Sequence, residues 1–218
     1  MKAAIFDLDG TLLDSMHIWL DLGNRVVEKL HIPISKDINI YDTLKDMSLD
    51  ESAEYFASLL DYKLNKDDII NIYYDIISDF YENEAELKPN VENYIKKLYE
   101  KKIALCLATE TDMQLAKKAL KRVGLLKYFQ CCICSKEVGK GKKYPDIFFE
   151  ALKKLNCDIK DVVIYEDALY AAQTAKEAGF TVHSIYDKSQ RKYIKSIREI
   201  SDLYKYDFAD YIQDIDEF

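Results

Sequence analysis

The chain has 218 residues, enough for one large domain or for two small ones with hydrophobic cores of their own. Hydrophobic residues make up 49% and charged residues 32%, and only three prolines and six glycines occur, so the composition excludes extensive disorder. The net charge of −8 argues against a general nucleic-acid-binding protein, because such proteins are usually basic.

Neither a secretory signal nor a membrane span is predicted. The N-terminal apolar run ends at Asp7, too early for the apolar region of a signal peptide, and no later run approaches the length of a bilayer span. The five cysteines fall mostly in apolar runs, and the group at 131–134 has no second Cys/His pair at a zinc-like spacing. We therefore expect buried thiols in a cytoplasmic protein with no membrane or nucleic-acid partner.

Five short apolar runs rich in β-forming residues alternate with segments of helical periodicity. These runs are 3–7, 103–108, 131–134, 162–166 and 181–186. Nearly continuous apolar strands are typical of parallel sheets that are covered on both faces. The alternation predicts an α/β fold with a Rossmann-like parallel sheet.

The stretch between the first and second predicted strands is far longer than a crossover connection requires. Residues 15–81 read as helix throughout, and their first apolar stripe is Trp19, Leu22, Val26 and Leu30, which predicts that Trp19 is buried. We therefore predict an inserted α-helical cap domain, 15–87, and a core domain formed by 1–14 and 88–218. The tail from Asp202 is left open between a last helix and a mobile segment.

The most specific motif, Asp7-Leu8-Asp9-Gly10-Thr11, directly follows the first predicted strand. Ligands of open parallel sheets bind beyond the carboxyl ends of the strands, and two acids two positions apart project to the same side. Such carboxylates repel each other unless a cation is present, and Mg²⁺ prefers hard oxygen ligands. One carboxylate could attack a phosphoryl group while the other moves protons. An isolated Asp-x-Asp pair is more often a turn or a helix cap, so the signal lies in the full motif.

Residues 6–15, FDLDGTLLDS, resemble the first motif of the haloacid dehalogenase (HAD) superfamily. The resemblance extends to about Tyr186 and is closest to the branch with a helical cap after the first strand. That branch includes phosphoglycolate phosphatase, sugar phosphatases and β-phosphoglucomutase. The resemblance implies a HAD-like fold in which Asp7 is the nucleophile and Asp9 the general acid/base. It also implies that the Asp7 side chain and the Asp9 backbone carbonyl bind Mg²⁺.

The second motif of that family is a hydroxyl at the end of the second strand, and Thr109 matches it. By resemblance the Thr109 hydroxyl hydrogen-bonds a phosphate oxygen, although a threonine there is also an ordinary helix N-cap. Glu110 stands where relatives have a small or amide residue. We expect its carboxylate to point away from the phosphate, with its backbone N–H contributing to substrate binding.

The third and fourth motifs supply a lysine and an acidic pair. Lys142 lies shortly before Pro145-Asp146, at the matching distance, and its ammonium would balance the charges of the nucleophile and the phosphoryl group. Lys143 occupies the place of a usual proline. Glu166 and Asp167 follow the fourth predicted strand, and the resemblance implies Asp167 as a direct Mg²⁺ ligand with Glu166 acting through water.

The segment 44–49 loosely resembles the cap loop of β-phosphoglucomutase, with Lys45 and Ser48 matching. Leu49 replaces the arginine that holds the sugar phosphate in the mutase, and Asp46 replaces a glycine. Because a mutase must retain a second phosphate on its intermediate, the sequence favours a hydrolase. His17 is a further candidate for substrate binding at the entrance between cap and core. Trp19 could line the same entrance, but its place in the apolar stripe favours burial.

We thus predict a Mg²⁺-dependent phosphatase that hydrolyses a small phosphorylated metabolite, such as a sugar phosphate, through an aspartyl-phosphate intermediate. The expected assembly is a monomer or a weak homodimer. A sugar-phosphate mutase is the first alternative. A receiver-like phosphorylation switch would lack the large cap, and a noncatalytic phosphate-binding protein is disfavoured by the complete set of catalytic residues.

Overall fold

The computed structural model describes residues 1–35, 38–44 and 47–215. It divides into two compact units. The core unit consists of Met1–Ser15 and the chain from Ala85 onward, and the helical unit is Met16–Glu84. We propose that these units are the two domains that the sequence pattern predicts. Within the described residues, no helix is both long and apolar enough to cross a membrane. The cytoplasmic location and the oligomeric state stay predictions.

Within its described residues, the helical unit contains four α-helices. They are α1 (Met16–Leu30), α2 (Ile40–Leu44), α3 (Leu49–Leu59) and α4 (Lys66–Asp79), the last continued by a π-helical turn, Phe80–Glu84. Local sequence fixes two of the starts, because Ser48 and Glu51 form a capping box at α3 and Asn65 and Asp68 form another at α4.

The expected burial of Trp19 is wrong. Helix α1 buries Ile18, Leu22 and Val26, which are four residues apart and form one row along its surface. Trp19 lies beside this row and is 39% exposed. The predicted apolar stripe therefore began with the wrong residue, since Ile18 and not Trp19 is its first buried member.

The core unit is built on one parallel sheet with strand order β3-β2-β1-β4-β5-β6. The strands are β1 (Ala3–Phe6), β2 (Ala104–Thr109), β3 (Cys131–Cys134), β4 (Val162–Glu166), β5 (Thr181–Ile185) and β6 (Leu203–Lys205). The predicted α/β fold is confirmed, and each of the five predicted apolar runs overlaps a strand. The edge strand β6 was missed because three half-buried residues show no usable periodicity.

Seven α-helices accompany the sheet within the described part of the core unit. They are α5 (Val91–Glu100), α6 (Met113–Arg122), α7 (Ser135–Val138), α8 (Asp146–Leu155), α9 (Leu169–Glu177), α10 (Ile194–Ile200) and α11 (Phe208–Gln213). The described part of the tail contains a helix, α11, which was one of the two alternatives. Helix α11 buries Phe208 and Tyr211, and the Tyr211 hydroxyl donates a hydrogen bond to the Ser184 carbonyl, 2.7 Å away.

Strand register brings the motif residues to one edge of the sheet. The central strand β1 is fully buried, and Phe6 pairs with Leu107 of β2 on one side and with Tyr165 of β4 on the other. Parallel neighbours in this register end together, so Asp7 and Glu166 both emerge at the same edge. The Asp7 backbone N–H donates to the Tyr165 carbonyl at 3.0 Å and continues the ladder by one residue.

Candidate active site

Three carboxylates that the sequence assigned to one site lie together at the carboxyl ends of β1 and β4. Asp7, Glu166 and Asp167 are 7%, 1% and 2% exposed. Each offers one carboxylate oxygen, and these three oxygens lie within 4.8 Å of one another. The Lys142 ammonium, also buried, donates to Asp7 Oδ1 and, at 2.8 Å, to Glu166 Oε2. We call these four residues the carboxylate cluster.

Burial and mutual repulsion dominate the electrostatics of the carboxylate cluster. Burial raises the pKa of Asp7 to about 8; the negative charge of Glu166 adds to this rise, while Lys142 opposes it. Burial, followed by the charges of Glu166 and Asp7, also raises the pKa of Asp167 well above its usual range. For Lys142, burial lowers the pKa, but the carboxylates of Asp7 and Glu166 outweigh this effect and raise it.

The donor set fits a hard divalent cation. One ammonium cannot balance three ionised carboxylates, and the burial of all four side chains leaves little solvent screening. The ligand atoms on offer are carboxylate oxygens, which Mg²⁺ prefers, and Mg²⁺ needs only one or two of them from a protein. The residues that could hold the ion are Asp7, Asp167 and Glu166.

Gly10 and Thr11 of the first motif both serve Asp167. Gly10 has φ +84°, and a Cβ atom at that position would lie 2.5 Å from Asp167 Oδ2, so any side chain would displace the carboxylate. The Thr11 hydroxyl donates to Asp167 Oδ1 at 3.0 Å. The glycine and the threonine of the motif therefore fix the acid that lies 156 residues later in the chain.

The Asp9 side chain is oriented by hydroxyl groups. Ser15 Oγ donates to Asp9 Oδ1 and Thr111 Oγ1 donates to Asp9 Oδ2, both at 2.5 Å. Thr111 was missed from the sequence, although its place two residues after Thr109 on the same loop is a usable signal. The predicted binding of Mg²⁺ by the Asp9 carbonyl stays a prediction.

Thr109 and Glu110 lie where strand β2 ends. Thr109 is buried, and its Oγ1 accepts a hydrogen bond from the Thr111 backbone N–H at 3.0 Å. The Glu110 carboxylate accepts from the Lys142 backbone N–H at 2.8 Å and from the Tyr170 hydroxyl at 2.5 Å. The Glu110 side chain thus contacts protein groups of the core unit.

Lys88 is a further polar anchor that sequence reasoning missed. Its ammonium donates to the carbonyls of Gly10 at 2.6 Å and Tyr186 at 2.5 Å, and to Asp187 Oδ2 at 2.9 Å. It therefore joins the loop after β1 to the loop after β5. From the sequence, a lysine before a proline at the predicted boundary between cap and core is indistinguishable from a solvated side chain, so no local signal was present.

The two candidates for substrate binding in the cap belong to a different part of the chain. His17 lies on α1 and is exposed, with its ring edge-on to Phe80 at a centroid distance of 5.2 Å. Lys45 lies outside the described residues. Ser48, which matched the mutase loop, is the N-cap of α3.

A family model described as haloacid dehalogenase-like hydrolase matches residues 4–185. The chain belongs to that family, and its class of enzyme is phosphomonoester hydrolase. The phosphorylated carbohydrates phosphatase of Thermotoga maritima is 30% identical over 195 residues, covering 86% of this chain and 88% of the relative. The β-phosphoglucomutase of Bacillus subtilis is 28% identical over 193 residues, with 82% and 80% covered.

Solved structures support the fold. CbbY from Rhodobacter sphaeroides, in complex with phosphate, superposes with a TM-score of 0.71 at 23% identity. The match covers 96% of this chain and 95% of that one. At this level of identity the likeness shows that both chains share the HAD-like fold.

Proposed function

We propose that the protein is a Mg²⁺-dependent phosphatase that hydrolyses a small phosphorylated sugar or a similar phosphomonoester through a phosphorylated Asp7. The observation that supports this most directly is the buried Asp7 carboxylate, which contacts the Lys142 ammonium and lies within reach of Glu166 and Asp167. A nucleophile, a fixed positive charge and two further acids are the parts that phosphoryl transfer requires.

The first half-reaction transfers the phosphoryl group to the protein. A carboxylate oxygen of Asp7 forms a bond to phosphorus as the bond from phosphorus to the leaving oxygen breaks. Asp9, entering in its protonated form, gives its proton to that oxygen, and the hydroxyls of Ser15 and Thr111 hold the Asp9 side chain in one orientation. Lys142 balances the negative charge that gathers around Asp7.

The second half-reaction restores the enzyme. Asp9, now ionised, takes a proton from a water molecule as the water oxygen attacks phosphorus, and the bond from phosphorus to the Asp7 oxygen breaks. Inorganic phosphate leaves, and both acids return to their starting states. Asp7 and Asp167 would hold Mg²⁺ directly, with Glu166 acting through water. The bound ion would offset the negative charge of the acids and polarise the phosphoryl oxygens.

The relatives support the choice of substrate class. The similar proteins named above include a phosphatase of phosphorylated carbohydrates, and validoxylamine A 7′-phosphate phosphatase of Streptomyces hygroscopicus is 25% identical over 179 residues. A sugar-phosphate mutase is the alternative to be tested. Leu49, where the mutase has its phosphate-holding arginine, begins α3 and is 48% exposed, and its side chain offers no charge to a second phosphate.

The deciding experiment measures phosphate release from a panel of sugar phosphates, phosphoglycolate and nucleotides, with Mg²⁺ and with EDTA. We expect release that needs Mg²⁺ and is lost in Asp7→Asn. Asp158→Asn is the matched control, because this exposed acid precedes β4, at the opposite edge of the sheet from Asp167, and should keep full activity. Conversion of β-glucose 1-phosphate to glucose 6-phosphate without phosphate release would establish the mutase. If folded protein does neither, the proposed phosphatase activity is wrong.

A further inference from the structure

The Glu110 carboxylate connects three segments of the core unit that carry proposed catalytic residues. Glu110 follows Thr109 at the end of β2, its Oε1 accepts from the Lys142 backbone N–H at 2.8 Å, and its Oε2 accepts from the Tyr170 hydroxyl at 2.5 Å. Tyr170 lies in the first turn of α9, three residues after Asp167. One side chain thus joins the segments that hold Thr109, Lys142 and Asp167.

We propose that Glu110 is a positioning residue that fixes the backbone of the Lys142 loop and thereby holds the Lys142 ammonium against Asp7. The inference rests on the proposed function for its kinetic consequence but not for its structural one. Hydrogen bonds to an ionised carboxylate are shorter and stronger than those between neutral groups. Such a bond can therefore restrain the backbone of a loop. A lysine needs such support, because its ammonium stands at the end of a flexible four-carbon stem.

Gly141 gives an independent reason to believe that the Glu110 position matters. A Cβ atom on Gly141 would lie 2.6 Å from Glu110 Oε1, closer than real Cβ contacts. The backbone of Gly141 lies outside the left-handed region, so an alanine could adopt it without strain. The absence of a side chain at position 141 therefore makes room for the Glu110 carboxylate.

The Tyr170 hydroxyl can donate a hydrogen bond to the Glu110 carboxylate throughout the neutral pH range. Burial, and then the hydrogen bond to Glu110, raise the pKa of Tyr170 well above its usual range, so the hydroxyl keeps its proton at neutral pH. Tyr170 is therefore expected to act through Glu110.

If Glu110 instead contacted the substrate, its removal would change the kinetic constants in the opposite direction. If the carboxylate acted on the substrate directly, its charge would repel an anionic phosphate, and removing the charge would lower KM and raise kcat/KM. If Glu110 positions Lys142, removing it lowers kcat with little change in KM. Glu110→Gln then restores most of kcat, because the amide oxygen can still accept from the Lys142 N–H.

The test compares steady-state kinetics of Glu110→Ala, Glu110→Gln, Tyr170→Phe and the double variant Glu110→Ala/Tyr170→Phe. We expect Glu110→Ala to lower kcat by about 10- to 100-fold, as for a catalytic group displaced by about 1 Å, and Tyr170→Phe to lower it less. The double variant should match Glu110→Ala, because Tyr170 has nothing to orient once the carboxylate is gone.

Gly141→Ala provides a second cycle with a distinctive outcome. In the wild-type background its methyl group displaces Glu110 and should lower kcat about as much as Glu110→Ala does. In the Glu110→Ala background the same methyl group meets open space, so Gly141→Ala should change kcat by less than about twofold. Equal effects of Gly141→Ala in both backgrounds would overturn the inference.

Amide hydrogen exchange at Lys142 tests the tether without relying on activity. We expect the Lys142 N–H to exchange faster in Glu110→Ala and to stay protected in Glu110→Gln, with unchanged thermal unfolding temperatures. An active wild type whose Glu110→Ala variant keeps its kcat, or gains in kcat/KM, would overturn the positioning role. An inactive wild type with the expected exchange pattern would instead overturn the proposed function and leave the tether standing.

Discussion

Two buried polar clusters share strand β4 and differ in charge: one consists of neutral, hydrogen-bonded rings and the other of ionisable acids around a lysine. Tyr165 and Glu166 are successive residues, so their side chains point to opposite faces of the strand. Glu166 belongs to the carboxylate cluster. Tyr165 belongs to what we call the tyrosine cluster, which consists of Tyr94, Tyr165, Tyr211 and His183. In this second cluster the hydroxyls of Tyr94 and Tyr165 hydrogen-bond to each other, and the His183 ring stacks on Tyr211.

This contrast assigns the tyrosine cluster to the stability of the fold and the carboxylate cluster to the proposed chemistry. The tyrosine cluster is neutral, its hydroxyls have partners inside the protein, and its rings pack against one another, with Tyr165 also stacked on Phe6 at 4.4 Å. The carboxylate cluster brings like charges together away from water, which costs stability unless a cation compensates. Substitutions in the carboxylate cluster should therefore lower activity without lowering stability. Substitutions in the tyrosine cluster should lower stability without lowering activity.

Asp7→Asn should change turnover more than any other substitution. Removal of the proposed nucleophile should lower kcat by about 10³-fold or more. The free energy of unfolding in EDTA should equal or exceed that of the wild type, because the variant no longer has to bury this acid, whose pKa burial raises to about 8. Urea unfolding beside phosphate release measures both. A variant that loses stability and activity together would contradict the division between the clusters.

Magnesium should stabilise the protein through the carboxylate cluster. At a Mg²⁺ concentration of about 100 times Kd, the free energy of unfolding should rise by about 2.7 kcal/mol over its value in EDTA. Asp167→Asn should remove most of this gain, and Thr11→Val part of it, because Thr11 donates to Asp167 Oδ1. Asp158→Asn serves as the matched control. Stabilisation that survives Asp167→Asn would place the ion elsewhere.

His183 should make the tyrosine cluster sensitive to acid. Burial lowers the pKa of His183 to about 4 from its usual 6.5, although the charges of Asp202 and Asp214 oppose this effect. Between these two pH values His183 is protonated in the unfolded chain but neutral in the folded protein. Stability is therefore lost as the pH falls from about 6.5 towards 4. At a pH of about 5 the loss from this residue should be about 2 kcal/mol.

The measurement is urea unfolding at pH 7.5 and at pH 5, in EDTA, for the wild type and for His183→Gln. Asp7 and Asp167 contribute in the opposite direction, because their raised pKa values favour the folded state at low pH, but they do so equally in both proteins. We expect the variant to lose less stability between the two pH values. Equal losses would show that His183 titrates normally.

The smallest expected effect is that of single hydroxyl deletions in the tyrosine cluster. Tyr94→Phe should cost about 1 kcal/mol of unfolding free energy, because it leaves the buried Tyr165 hydroxyl without this partner. The double variant Tyr94→Phe/Tyr165→Phe should cost less than the sum of the single changes, since no hydroxyl is then stranded. Phosphate release should stay within about twofold of the wild type in all three.

The fold class and the family could be read from the amino-acid sequence without the structure. Nearly continuous apolar runs, without the alternation of strands that have one solvent-exposed face, indicate a parallel sheet covered on both faces. The spacing of FDLDGTLLDS and the later motifs indicates the haloacid dehalogenase-like family, which the family model confirms. These signals can be read from the sequence alone because each motif is local, and three of the four lie at the end of a strand.

The residues that support the motif residues became visible only in the folded protein. Lys88 reaches the Gly10 carbonyl across 78 positions, Glu110 reaches Lys142 across 32, and Tyr165 pairs with Tyr94 across 71. None of these partners has a local pattern, because a hydrogen bond between distant segments depends on strand order and loop path. The three-residue strand β6 and the exposure of Trp19 were missed for a related reason, since packing against neighbours, and not periodicity, sets them.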